Sequence, residues 1–212
     1  DFYGVACGKE NILFTNNDSA YETAISLNSK GIKVNAIVDI RDSNNSILTN
    51  EVKKIGIKIY YSYTVINTKG YKKINKVTIM KLSKDGKTVT NSKTDIKCDC
   101  LGVSGGWTPA VHLFTQSGGK LKFDDNDNIF IPNKYPSDQL SIGACNGNLD
   151  LENIISDINI NLKNFLKIDK TNFENLKINS SKQTSKKNIW LLPSNKPVAK
   201  TKSFVDFQND AT

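Results

Sequence analysis

This 212-residue chain has a single side chain whose unperturbed pKa suits proton transfer near neutral pH. His112 is the only histidine, the side-chain type best suited to proton transfer near neutral pH. It lies among apolar residues, with no serine or cysteine nucleophile beside it in the sequence. A triad would need a nucleophile next to the histidine and a metal cluster would need further ligands, and the sequence marks neither near His112, so we expect a packed, hydrogen-bonded helix histidine and name no catalytic residue.

The four cysteines are Cys7, Cys98, Cys100 and Cys145, and no two of them form a CxxC pair. Cys98 and Cys100 flank Asp99 on a predicted strand, where alternate side chains share a face. No four-ligand zinc site follows from this spacing. We therefore expect reduced thiols in a cytoplasmic protein and no bound metal.

Two aspartates stand where a nucleotide-binding domain would hold its ligand. A dinucleotide-binding loop places glycines in the first strand-to-helix turn, so that the pyrophosphate can approach backbone N–H groups. Residues 15–20 (Thr-Asn-Asn-Asp-Ser-Ala) contain no glycine. We expect Asp18 to cap the following helix with its side chain. Asp39 ends the next predicted strand, at the ribose position, and is interpreted as a strand-terminal acid rather than a ligand contact.

The hydrophobic pattern predicts the elements that position these residues. A strand at 11–15, a helix at 19–30 ended by Gly31, and a strand at 34–38 make a βαβ unit, which implies a parallel sheet. A helix at 48–55, a β-rich stretch at 57–66, a hairpin built on 74–82 with its turn at 84–87, and a core strand at 99–104 follow. The fold class predicted is α/β, a three-layer Rossmann-like domain with a β-meander.

The pattern changes after Ala110. We predict a short helix at 111–114, paired strands at 120–124 and 128–132, a strand at 140–144, and a helix at 150–166. Past Asn179 the chain is rich in Ser, Lys, Asn and Pro, which indicates a linker or an excursion.

Charge and hydropathy exclude several classes of function. The net charge is +8, but 28 of the 29 basic residues are lysines and only Arg41 is an arginine. Phosphate-binding surfaces usually use arginine forks and interleaved aromatics, so we expect no nucleic-acid partner. No apolar run of the given sequence is long enough to span a membrane, and we expect neither a membrane partner nor a secretory signal.

Two long stretches and one short one point to a family. The segment from Cys98 to Leu121 (CDCLGVSGGWTPAVHLFTQSGGKL) resembles the alpha subunit of heterotetrameric bacterial sarcosine oxidase. The segments Tyr3 to Tyr21 (YGVACGKENILFTNNDSAY) and Phe204 to Asp210 (FVDFQND) resemble it too. The resemblance implies an internal piece of a much longer subunit, in a region similar to the pyridine nucleotide-disulfide oxidoreductases.

In that fold one nucleotide-binding domain is inserted into another. The resemblance implies an inserted, degenerate NAD(P)H-binding-like domain at 1–103, a return segment of the first dinucleotide domain at 104–178, and a linker or excursion at 179–212. It places NAD against Gly143, Ala144, Leu149 and Leu151, at a strand end and a helix start. The acid that flavoproteins of this fold carry after the glycine is replaced by Ala144, and the chain would hold half a binding site.

The chemistry implied belongs to a larger assembly. It is oxidation of sarcosine to glycine with formation of hydrogen peroxide and methylenetetrahydrofolate, using FAD, FMN and tetrahydrofolate with beta, gamma and delta subunits. The fragment alone is expected to be inactive. The alternatives are the alpha subunit of a related amine, opine or proline dehydrogenase, and a non-catalytic nucleotide-binding assembly module.

Overall fold

A computed structural model describes residues 3–136, 138–167, 189, 191–197 and 200. Most of the predicted linker at 179–212, with the Phe204 to Asp210 motif, lies outside these residues. Of the described residues, those up to Gly106 and those at 189–200 form one compact unit, unit 1, and those from Trp107 to 167 form a second, unit 2. The assignment of an inserted domain and a return segment stays a prediction.

Unit 1 is an α/β domain with a parallel sheet. In chain order its elements are β1 (Glu10–Thr15), α1 (Ser19–Ser29), β2 (Lys33–Asp39), α2 (Ile47–Lys54), β3 (Lys58–Tyr61), β4 (Tyr63–Gly70), β5 (Ile74–Leu82), β6 (Val89–Lys97) and β7 (Cys100–Ser104). The parallel sheet has the order β3-β2-β1-β7, and the antiparallel sheet has the order β4-β5-β6. The elements predicted for this region are confirmed, with ends that differ by up to four residues, and Gly31, with φ of +74°, follows the C-terminus of α1.

Alternate residues of β1 and β2 face two different cores, because successive side chains on a strand point to opposite faces. Leu13 and Ile37 pack with Ala20, Tyr21 and Ala24 of α1 in the helical layer. The opposite core gathers buried residues from both sheets: Ile12, Phe14, Val38 and Ile40 with Val77, Ile79 and Leu82. Helices, parallel sheet and antiparallel sheet therefore form three layers, as predicted.

Unit 2 contains α3 (His112–Gln116), the hairpin β8 (Lys120–Asp124) and β9 (Ile129–Lys134), a 3-10 helix (Gly143–Asn146), and α4 (Leu151–Leu166). Gly119 is required because a Cβ there would lie 2.4 Å from the ring of Phe114. That ring also makes an edge contact with Tyr135, with 5.0 Å between centroids.

The strand predicted at 140–144 is wrong. Gly143 begins the 3-10 helix with φ of +71°, a left-handed conformation that interrupts an extended chain. Within the described part of unit 2, β8 and β9 pair only with each other, so this short apolar run has no strand to join. A five-residue segment such as this one, with the apolar side chains of Leu140, Ile142 and Ala144, cannot be assigned by periodicity alone.

Candidate functional site

The carboxyl ends of β1 and β2 are the place where parallel α/β sheets bind ligands. In unit 1 the side chain of Arg41 fills this place. Its Nη2 donates to Asp39 Oδ2 at 2.7 Å and its Nη1 donates to Asp18 Oδ1 at 2.8 Å. Asp39 is fully buried, and Asp18 and Arg41 are each 4% exposed. The chain's own cation thus occupies the edge where a nucleotide would meet the sheet.

Asp18 does not cap α1 with its side chain, contrary to the prediction. Its Oδ1 also accepts from Asn44 Nδ2 at 2.8 Å. The neighbouring Asn17 takes over the end of the helix, because its Oδ1 accepts from the backbone N–H of Ser19 at 3.0 Å. Asp18 follows the end of β1 and Arg41 follows the end of β2. Their ion pair overrides the local preference of aspartate for the N-cap position.

Asp39 ends β2 as predicted, and both of its carboxylate oxygens are used by the protein. They accept from the backbone N–H and the guanidinium of Arg41 and, at 2.7 Å, from the hydroxyl of Tyr21. Burial and the charge of Asp39 raise the pKa of Tyr21 far above its ordinary value. No oxygen of Asp39 faces solvent, so a ribose cannot reach it without breaking the cluster.

A small cavity lies beside this edge, lined by Leu13, Phe14, Ala20, Thr23, Gly102, Val103 and Ser104. Its volume is about 110 Å³. Pockets that enclose drug-sized ligands are roughly 300–1,000 Å³, so this cavity is too small for a dinucleotide. This small cavity and the buried Arg41 cluster are the features that the structure places near the carboxyl ends of β1 and β2.

The four residues predicted to border NAD lie together in unit 2, around the start of α4. The backbone N–H of Asn148 donates to the carbonyl of Gly143, which folds the turn back toward the helix. A Cβ on Gly143 would lie 3.3 Å from Ile154 in the second turn of the helix. Ala144 is exposed, Leu149 is half-buried, and Leu151 is 54% exposed as the first residue of α4.

Carboxylates already use the N–H groups of this turn. The N–H of Gly143 donates to Asp157 Oδ2 at 2.6 Å, and the N–H of Glu152 donates to the N-cap side chain of Asp150 at 2.9 Å. The positive end of the helix dipole stabilises the carboxylate of Asp150 at the N-cap. A pyrophosphate placed on Gly143 would meet a donor already taken and nearby negative charge. Hydroxyl groups, by contrast, can donate to carboxylates.

The remaining candidates are placed apart from these clusters. His112 is exposed at the first turn of α3, so the expectation of a packed histidine is wrong. The four cysteines are free, and burial raises the pKa of both Cys98 and Cys100. Among the residues that the structure describes, no group of three or more His, Cys, Asp or Glu side chains could hold a metal ion.

Sequence reasoning missed Arg41, Asn44 and Asp157 as partners of the predicted residues. The one available signal was that the chain's single arginine follows Asp39 by two positions. Nothing in the sequence indicated the bond between Asp157 and Gly143, which are 14 residues apart.

The comparisons with known proteins agree with the motifs. No protein-family model matches the chain. The chain is 30% identical over 156 residues to sarcosine oxidase subunit alpha of Corynebacterium sp. strain P-1, covering 73% of the chain and 16% of that protein. It is 27% identical over 219 residues to sarcosine oxidase subunit alpha of Rhizobium meliloti, covering 98% of the chain and 20% of that protein.

The fold resembles solved structures as well. The crystal structure of LpdA from Mycobacterium tuberculosis superposes with a TM-score of 0.50 at 14% identity, over 78% of this chain and 36% of that one. The Rossmann-like fold class is confirmed. Within the described residues, no helix is both long and apolar enough to span a bilayer. Because the motif resemblance and the curated relatives coincide, the chain is a homologue of sarcosine oxidase subunit alpha, aligning with 16–20% of that subunit's length.

Proposed function

We propose that this chain is part of the alpha subunit of a multisubunit oxidoreductase that acts on the CH–NH group of sarcosine. The names of its relatives support this proposal. The complete enzyme would convert sarcosine to glycine with hydrogen peroxide and methylenetetrahydrofolate, in the cytoplasm. It would use FAD, FMN and tetrahydrofolate together with beta, gamma and delta subunits.

Within that enzyme, unit 2 would hold NAD and unit 1 would serve as architecture. The observation that carries this division is the buried Arg41, which closes the ligand position of unit 1. The start of α4 has accessible apolar side chains in Ala144 and Leu151, and carboxylates able to accept from ribose hydroxyls. Gly143, Ala144, Leu149 and Leu151 would therefore border the sugar rather than grip the pyrophosphate. NAD, when bound, would be held here without reaction at any residue of this chain.

An NMR titration with NAD tests the division. We expect weak binding, with chemical-shift changes at the amides of Gly143, Ala144, Leu149 and Leu151, and none at the amides of Asp18 and Asp39. Leu151→Asp should weaken binding at least fivefold, because it replaces an apolar contact by a like charge facing the ligand.

Leu166→Asp is a matched control, since Leu166 is 52% exposed at the opposite end of the same helix. It should leave the affinity unchanged. Chemical-shift changes confined to the amides of Asp18 and Asp39 would contradict the assignment and place the NAD site in unit 1. If no amide showed a saturable chemical-shift change, the chain would not hold NAD, and only the alternative of a non-catalytic assembly module would be left. Release of hydrogen peroxide by the assembled enzyme would separate the oxidase from the amine, opine and proline dehydrogenases.

A further inference from the structure

The net charge of the chain has its origin in one part of unit 1. Residues 58–97, which contain β3 to β6, hold ten lysines and two aspartates, a net charge of +8. The whole chain also has a net charge of +8, so the remaining residues balance to zero. A general lysine bias in composition does not explain this, because the other lysines are matched by acids.

The antiparallel sheet places several of these lysines side by side. Lys69 of β4 is directly opposite Lys76 of β5, which is directly opposite Lys97 of β6. Side chains at paired positions point to the same face, with Cα atoms roughly 4.5–5.5 Å apart. Lys93 lies on this face too, because it pairs with Met80, four residues along from Lys76. We call the four residues Lys69, Lys76, Lys93 and Lys97 the lysine face.

One aspartate neutralises part of this face. Asp95 Oδ2 accepts from Lys76 Nζ at 2.5 Å and its Oδ1 accepts from the hydroxyl of Thr78 at 2.6 Å. The hydrogen bonds from Lys76 and Thr78 lower the pKa of Asp95 to about 2. Lys69 and Lys97 have no ion pair among the residues that the structure describes.

Like charges at directly opposed positions of a sheet are destabilising. A row of three lysines across three strands therefore opposes folding rather than supporting it. Lys69, Lys93 and Lys97 are exposed, so none of them is needed to fill the core. The adjoining β4–β5 turn adds Lys72, Lys73 and the 98% exposed ring of Tyr71. This surface has the charge and the exposed aromatic of an interaction site.

We propose that the lysine face docks on an acidic surface of a partner protein. The proposal rests on the function proposed above, in which the chain belongs to a multisubunit enzyme. A protein is favoured over nucleic acid because the only arginine is buried in unit 1 and the face offers point charges without guanidinium forks. Complementary charge would speed the encounter and select the partner.

Binding of fluorescein-labelled poly-L-glutamate, followed by anisotropy at about 50 mM salt, tests this surface. We expect the variant Lys69→Gln/Lys76→Gln/Lys97→Gln to lose at least tenfold in affinity. The control variant Lys30→Gln/Lys53→Gln/Lys54→Gln removes the same charge from exposed lysines of the same unit, at and near α1 and α2. This control variant should lose less than threefold in affinity for poly-L-glutamate. If both triple variants lost the same factor in affinity for poly-L-glutamate, or if neither lost any affinity, the proposal would be overturned.

Two further binding measurements distinguish an acidic protein partner from nucleic acid and from an anionic membrane. A 20-base-pair DNA duplex and phosphatidylserine vesicles should each bind more weakly than poly-L-glutamate at the same salt concentration. Tighter binding of either, with the same dependence on the lysine face, would replace the protein partner by nucleic acid or a membrane. The NAD titration is independent of this surface, so a positive titration beside a negative result here would reject the docking proposal alone.

Thermal unfolding shows whether the variant is folded. Removing the repulsion should leave the triple variant with a Tm equal to or above that of the parent at low salt. Lys97→Gln alone breaks no ion pair of the described residues and should behave likewise. It should also lose at least twofold in affinity for poly-L-glutamate, and an unchanged affinity would count against the lysine face.

Discussion

Replacing Arg41 by alanine is expected to lower the free energy of unfolding by about 3–5 kcal/mol, because it leaves buried charge without a partner. Asp18 and Asp39 are both buried and both bind the guanidinium. Their desolvation in the folded state would then have no compensating cation. Urea unfolding followed by far-UV circular dichroism measures the loss, and faster hydrogen exchange at the amides of β1 and β2 would assign it to unit 1.

The exposed ion pair between Lys33 and Glu10 supplies a matched control. Its side chains are 66% and 32% exposed, so Lys33→Ala should cost about 0–1 kcal/mol. Adding Asp18→Asn and Asp39→Asn to the Arg41→Ala variant should recover part of the loss, since no unpaired buried charge remains. A loss below about 1 kcal/mol for Arg41→Ala would show that the guanidinium is not holding these carboxylates.

Ile79→Ala is expected to lower the free energy of unfolding by about 2–5 kcal/mol, the usual cost of a buried cavity. Ile79 is fully buried in β5, within the core that the antiparallel sheet shares with Ile12, Phe14 and Val38 of the parallel sheet. Its truncation removes apolar contacts that hold the second and third layers together. The same urea titration measures the effect.

Lys81→Ala, two residues along the same strand, serves as the control. Lys81 is exposed, and the change should stay within about 0.5 kcal/mol of the parent. If Ile79→Ala were as mild as Lys81→Ala, the antiparallel sheet would not pack on the parallel sheet as the structure shows.

The order of elements in unit 1 was predictable because each element has a local signal. Short apolar runs mark β1 and β2, the apolar residues of β5 mark the first strand of the hairpin, a 3.6-residue stripe marks α1, and Asp85-Gly86 marks the turn before β6. The absence of glycine from the first turn likewise indicated a degenerate nucleotide domain. That interpretation stays a prediction, beside the observed burial of Asp39 against Arg41.

The failures at Asp18 and at residues 140–144 have one origin, which is the need for a partner distant in sequence. Asp18 has the local signature of a helix cap, but Arg41, 23 residues later, provides a stronger contact for its carboxylate. Residues 140–144 have the composition of a strand, but a strand requires a neighbour. The NAD contacts of Gly143, Ala144, Leu149 and Leu151 stay a prediction, since their identity came from resemblance and not from a pattern of donors.

The sequence by itself determined the α/β class, the three-layer order and the kinship with sarcosine oxidase subunit alpha, because these depend on periodicity and on continuous motifs. Only the tertiary structure decided that Arg41 is buried between Asp18 and Asp39, that the Gly143 amide binds Asp157, and that lysines from three strands form one face. Each of these depends on which side chains folding brings within hydrogen-bond distance or into register. Strand pairing and burial set those distances, and neither is written in the local order of residues.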